Sequence, residues 1–157
     1  VYSRAELSDY GFVHNHFYII TSVTDLTENM LRPAEFIDKN LSIDKSDGKP
    51  KILIFHTHSQ EGFTDTVEGD ASTTIVGVGD YLTELLVNKY GYNVIHDNTV
   101  YDYVDGKLDR SKAYTYAEEN VAKILEENPS IEVVIDLHRD GVPDTTRLVT
   151  EENGVTM

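Results

Sequence analysis

The chain has no cysteine. That single absence excludes disulfides, thiolate metal sites and cysteine nucleophiles, so any metal must rest on nitrogen and oxygen ligands. It is also compatible with a place on the outer side of a bacterial membrane. Basic residues are scarce: 13 Lys and Arg stand against 28 Asp and Glu, a net charge of −15. Binding a phosphate backbone requires clustered Lys and Arg that displace counterions. No basic stripe occurs, so nucleic acid is not an expected partner, and docking on anionic lipid fails for the same reason. No apolar run reaches the roughly 18–20 residues that span a bilayer. There is no initiator Met and no signal peptide before Val1, and the expectation is an excised piece of a longer protein whose targeting segment has been removed. Tryptophan is missing too, whereas there are ten tyrosines.

What is present is an ordinary globular composition. The 157 residues are 39% hydrophobic and 26% charged, enough for one domain with a real core. Residues 1–50 read as a lead-in arm packing on a domain that occupies 51–157. The arm is irregular to Tyr18, with a β-like run over Phe17–Val23 and a short helix in "LRPAEFIDKNL", where Pro33 suits a first turn. "DKSDGKP" is a loop.

From Lys51 the pattern is regular. Ile52–Phe55 is a continuous apolar run, as in a strand covered on both faces. Ile75, Val78, Leu82, Leu85 and Leu86 recur at helical spacing, and Gly91 is a natural stop. "YNVIH" is a second strand. After a tyrosine-rich loop, Tyr114, Ala117, Val121, Ile124 and Leu125 mark a second helix, with Asp109 or Ser111 as cap and Pro129 beyond its end. Ile131–Leu137 is a third strand, and the tail reads as a hairpin around Asn153-Gly154. This alternation predicts an α/β fold: a three-layer, mostly parallel sheet with helices on both faces and right-handed crossovers. No repeats or low-complexity segments occur.

Two stretches carry chemistry. "ILIFHTHSQEGF" ends a buried strand on His56 and His58, with Glu61 three residues later. "VVIDLHRDG" ends the third strand on Asp136, His138 and Asp140. Ligands gather beyond the carboxyl ends of parallel strands. Neighbouring strands lie about 4.8 Å apart, so imidazoles from both ends can reach one ion. Two histidines and a carboxylate form an ordinary zinc shell with an open position for water. Glu61 is the nearest carboxylate to the first pair. Asp136 shares a strand face with His138, so it is a ligand or a partner fixing the ring. His96, His14 and His16 are read as structural. The acidic helix faces are read as solvated, and "GVGD" is not a phosphate loop because no strand leads into it and it lacks the lysine.

Together the two motifs resemble the stage II sporulation protein P family of cell-wall hydrolases. The similarity runs from about Phe17 to Thr150 and includes the lead-in "YIITSVTDLTENMLRPAEFIDKNLSID". It implies an amidase-like catalytic domain that uses zinc (Zn2+) to cut the N-acetylmuramoyl-L-alanine amide of peptidoglycan, and stem-peptide cross-links as well. It implies action during forespore engulfment, outside the cytoplasm, on an N-terminal membrane anchor, beside stage II sporulation proteins D and M. The family's T-H-x-x-E falls on Thr57, His58 and Glu61, and its D-[IL]-H-R-D on Asp136 to Asp140. The implied metal ligands are therefore His58, Glu61 and His138, with His56 second choice and Glu68 or Asp70 as substitutes for Glu61.

Related amidases take their general base from a glutamate on a later strand, and the chain stops at Met157 first. The expectation is a C-terminally truncated sheet that binds zinc but hydrolyses wall poorly. Two other readings compete. An amidohydrolase barrel also ends its first strand on H-x-H, but it needs about 250 residues. A non-catalytic wall-binding or scaffold module would keep the fold without the metal.

Overall fold

A computed structural model describes residues 1–20, 25–141, 143, 145–146 and 149–156, with the backbone alone at Val104 and Glu152. The chain divides into two compact units, Val1–Ser42 and Ile43–Met157.

The first unit is helical from its start. Helix α1 (Arg4–Ser8) opens on a capping box: Ser3 Oγ accepts from the Glu6 amide, and the Glu6 carboxylate accepts from the Ser3 amide. Asp9 caps α2 (Tyr10–Phe17) by accepting from the Phe12 amide. The expected irregular arm is thus two capped helices. Phe17, expected to open a strand, closes α2, and 18–20 form no strand. Residues 21–23 of that expected run lie outside the described residues. Helix α3 (Pro33–Phe36) places Pro33 in its first turn, as expected. Tyr2, Phe12 and Phe17 meet edge to face, and Leu31 is buried.

The second unit is the α/β unit. Strand β1 (Pro50–Phe55) is central, and Ile52, Leu53 and Ile54 are buried. Burial on both faces explains why its sequence is uniformly apolar rather than alternating. Helix α4 (Ile75–Glu84) starts at the Thr74 cap and passes into a π-helical turn over Leu85–Lys89. Gly91 stops it at φ +69°, where a Cβ is disfavoured. Strand β2 (Asn93–His96) follows. Next comes a small hairpin, β3 (Tyr103–Val104) and β4 (Lys107–Leu108), turning at Asp105-Gly106 with both φ positive. Helix α5 (Ala113–Glu127) leads to β5 (Val133–Asp136). The hairpin expected in the tail is β6 (Glu151–Glu152) and β7 (Val155–Thr156), with Asn153 and Gly154 both at positive φ.

The sheet order is β2-β1-β5, all parallel. His56, just past β1, lies against Gly79 of α4, whereas Phe55 packs against Ala113 and Ala117 of α5. Successive residues point to opposite faces, so the two helices cover opposite faces and the fold is a three-layer α/β one. Three details differ from expectation. Val78 faces solvent and Gly79 faces inward, because two histidine rings occupy the space beside it. Helix α5 begins after Lys112 without a side-chain cap, since Asp109 spends its carboxylate on Ser111. Tyr114, expected in the core, is exposed. Among the described residues, no helix is long and apolar enough to cross a membrane.

Candidate functional site

Strand register brings the chemistry to one rim. Ile54 pairs with His96 and Phe55 with Asp136, so the carboxyl ends of all three strands lie level. Beyond Phe55 the chain turns over Thr57–Gln60. Asp136 fastens that turn: its Oδ1 accepts from the Thr57 amide at 3.0 Å and its Oδ2 from the Thr57 hydroxyl at 2.6 Å. The end of β5 therefore holds the end of β1.

His58 and His138 meet above this junction, 80 positions apart in the chain. Their ring centroids are 5.2 Å apart and their planes 72° apart. Glu61 comes back to the same point. Its Oε2 accepts from the Arg139 amide at 2.7 Å and lies 3.6 Å from His138 Nδ1. On the other side of that ring, His138 Nε2 is 2.9 Å from Asp136 Oδ2. A carboxylate accepts, so the network assigns the Nε2 proton to this contact. His138 Nδ1 is then left facing the Glu61 carboxylate at 3.6 Å, beyond hydrogen-bond range. Among the described residues, His58 Nδ1 is buried without a hydrogen-bond partner, an arrangement that itself requires a reason.

These features decide whether a metal suits the residues. Two imidazole nitrogens and a carboxylate oxygen, one nitrogen orphaned, form a donor set of the zinc type. Asp136 behind His138 is the carboxylate–histidine arrangement that orients a ligating ring. Among the described residues, however, no group of three or more His, Asp or Glu side chains already stands at metal-holding spacing. The donors converge without being arranged as a finished shell.

Burial, the largest influence, pushes the Asp136 carboxyl upward. The hydroxyl and amide of Thr57 and then His138 outweigh it and hold the group below the usual carboxylate range.

The remaining histidines go elsewhere. His56 is fully buried. Its Nδ1 donates to the Leu137 carbonyl at 2.9 Å, and its Nε2 meets His96 Nε2 at 2.8 Å. His96 in turn faces Asp80 through Nδ1 at 3.0 Å. Burial holds the His56 ring below its ordinary value, against the Leu137 carbonyl, so it accepts at Nε2 as a neutral ring. Both its nitrogens are spent, and the second-choice ligand is a structural residue. His96 is structural with it. Neither substitute for Glu61 reaches the donors by any contact of the described residues: Asp70 caps the 3-10 turn Ala71–Thr73, and Glu68 is exposed. His14 sits beside Tyr10 and His16 stacks on Phe12, both in the first unit.

Sequence reading missed three contributors. Tyr114, in the first turn of α5, lies 5.3 Å from the His58 ring and 6.5 Å from that of His138. Asp102 is fully buried and accepts from Ser59 Oγ and the Gln60 amide. Neither has a local pattern that could have revealed it. Gly79 had one: a glycine inside a helix costs about 1 kcal/mol against alanine, which invites a packing reason.

Beside Glu61 and His138 opens a groove of about 900 Å³, lined by residues 62–66, Arg139 and Asp140.

A family model described as stage II sporulation protein P matches residues 20–157. Comparison with curated proteins and with solved structures returns no match.

Proposed function

The chain belongs to the stage II sporulation protein P family, and on that footing we propose that it is a peptidoglycan hydrolase that cuts the N-acetylmuramoyl-L-alanine amide with a zinc ion held by His58, Glu61 and His138. The family ties the chain to sporulation. The observation that carries the chemical reading is the meeting of His58 and His138 with Glu61 against the His138 ring, the buried His58 Nδ1 having no partner among the described residues.

Bound zinc supplies a water that ionises near neutral pH and polarises the scissile carbonyl. The protein's own residues do the holding. Asp136 accepts a hydrogen bond from His138 Nε2 and would leave Nδ1 as the nitrogen that holds the ion. The Arg139 amide fixes one Glu61 oxygen. Thr57, clipped to Asp136, keeps the His58 turn against the end of β5. The adjacent groove has the size of a small-ligand site and gives a berth for the stem peptide. The same reading places the hydrolase outside the cytoplasm on a membrane anchor, working beside stage II sporulation proteins D and M at the engulfing septum.

Metal content and muropeptide chromatography test this directly. The expected result is near-stoichiometric zinc and the appearance of stem peptides with a new N-terminal alanine. Slow release suffices, because the bond cut decides the question and not the rate. A protein that takes up no zinc and leaves sacculi intact is a non-catalytic wall module instead.

A further inference from the structure

We propose that Asp102 is a positioning residue of this site, holding the His58–Glu61 turn in place through Ser59 and Gln60. The proposal rests on the reading of that turn as metal-binding.

Between His58 and Glu61 stand only Ser59 and Gln60. Asp102 grips both: Oδ1 accepts from Ser59 Oγ at 2.8 Å and Oδ2 from the Gln60 amide at 3.2 Å. The Gln60 side chain closes the set by donating to Ser59 Oγ at 3.1 Å. Asp102 is 0% exposed and Ser59 2%. Among the described residues no Lys, Arg or His pairs with Asp102. Burying a carboxylate without a cation is expensive, and replacing a buried hydrogen-bonded set by apolar groups of the same shape can be nearly neutral. Holding the structure together is therefore a poor reason for an acid here, whereas orienting two backbone-linked donors is a good one.

The His58 ring needs such help. Among the described residues its Nδ1 has no partner, so none of them sets the ring through that nitrogen. The backbone around it must do so, and two carboxylates bracket that backbone: Asp136 on Thr57 and Asp102 on Ser59 and Gln60.

Asp102 is itself braced. The Asp97 amide donates to the Ile54 carbonyl of β1 at 2.8 Å. Tyr101 is buried against Ala113 and Ala117, and its hydroxyl bonds Asp97 and Asn120 of α5. The Asp102 carbonyl accepts from the Asp109 amide at 2.8 Å. The segment Asp97–Asp102 thus ties the clamp to the sheet and to α5.

The test compares Asp102→Asn, Ser59→Ala and the double variant by zinc titration and by imidazole nitrogen resonances of the zinc-free protein. Asp102→Asn keeps the shape but replaces one acceptor oxygen by an NH2 donor, so Ser59 Oγ and the Gln60 amide no longer each have an acceptor oxygen of their own. It should weaken zinc by about 10–100-fold, the range for groups that orient ligands, and shift the His58 ring resonances while circular dichroism stays native. Ser59→Ala should do less, and the double variant should be no worse than Asp102→Asn, since both act on one contact. Unchanged affinity and unchanged His58 resonances overturn the proposal. If Asp102→Asn unfolds, the same two readouts on Ser59→Ala decide it. If wild-type protein takes up no zinc, the hydrolase reading falls, and the zinc-free His58 resonances still decide the clamp.

Discussion

His56 and His58 stand two residues apart, and the fold gives them opposite fates. His56 continues the line of β1, points under α4 and spends both nitrogens on Leu137 and His96. His58 lies past the strand, in the Thr57–Gln60 turn, and its ring comes over the sheet rim to His138 with Nδ1 unpartnered among the described residues. Alternation would have placed them on one face, but the turn breaks it. A histidine whose hydrogen bonds are all satisfied inside a core is a packing element. One left unsatisfied beside a second imidazole is, on the proposed function, a metal ligand.

The strongest way to break this contrast is to exchange the outcomes. His138→Ala should abolish zinc uptake and stem-peptide release while leaving the unfolding midpoint near wild type, because the ring is partly solvated. Metal analysis beside thermal denaturation checks both halves, and a variant that unfolds without losing zinc would erase the distinction. Next comes the carboxylate behind the ligand. Asp136→Asn should lower zinc affinity by about 10–100-fold by loosening the His138 ring and the Thr57 clip, as read by competition with a chelator.

The buried pair should respond in the opposite sense. His96→Ala leaves His56 Nε2 buried without a partner, a loss of about 1–3 kcal/mol, with zinc binding retained. Gly79→Ala attacks the same pair from α4. The added Cβ would lie 2.5 Å from His96 Nε2 and 2.6 Å from His56 Nε2, and overpacking of this kind costs about 1–3 kcal/mol. Denaturant midpoints measure both, and a midpoint unmoved by Gly79→Ala would mean that the two rings are not held as described.

The smallest effect is on the acid limb. Asp136 is held below the usual carboxylate range in the fold. Its contribution is therefore fully present above the unfolded value of about 3.9 and is lost as pH falls through the lower folded value. Stability measured from pH 5 down to 2 should fall less steeply for Asp136→Asn than for wild type.

Much of the α/β unit was legible in the sequence because it is written in local periodicity. The apolar run at Ile52–Phe55, the stop at Gly91 and the Asn153-Gly154 turn each state their own structure. The pair of histidine motifs was legible for the same reason: each ends a strand. The start of the first unit differs from expectation although Ser3 and Glu6 form a capping box, since a five-residue helix has too little periodicity to stand out, whereas the short helix at Pro33 was legible. Tyr114 was misassigned to the core because helical spacing says which residues share a face, not where the first turn of that face overhangs.

Residue type and spacing alone determined that this chain makes parallel strands tipped with histidine, and that any metal site would have to use nitrogen and oxygen ligands. Only the tertiary structure decided which histidines meet, because the order β2-β1-β5 puts the end of β5 beside the end of β1 and sends His96 to the other flank. Strand order is a long-range choice made by crossover connections and packing. No short stretch of sequence contains it, and Asp102, Gly79 and Tyr114 take their parts from it.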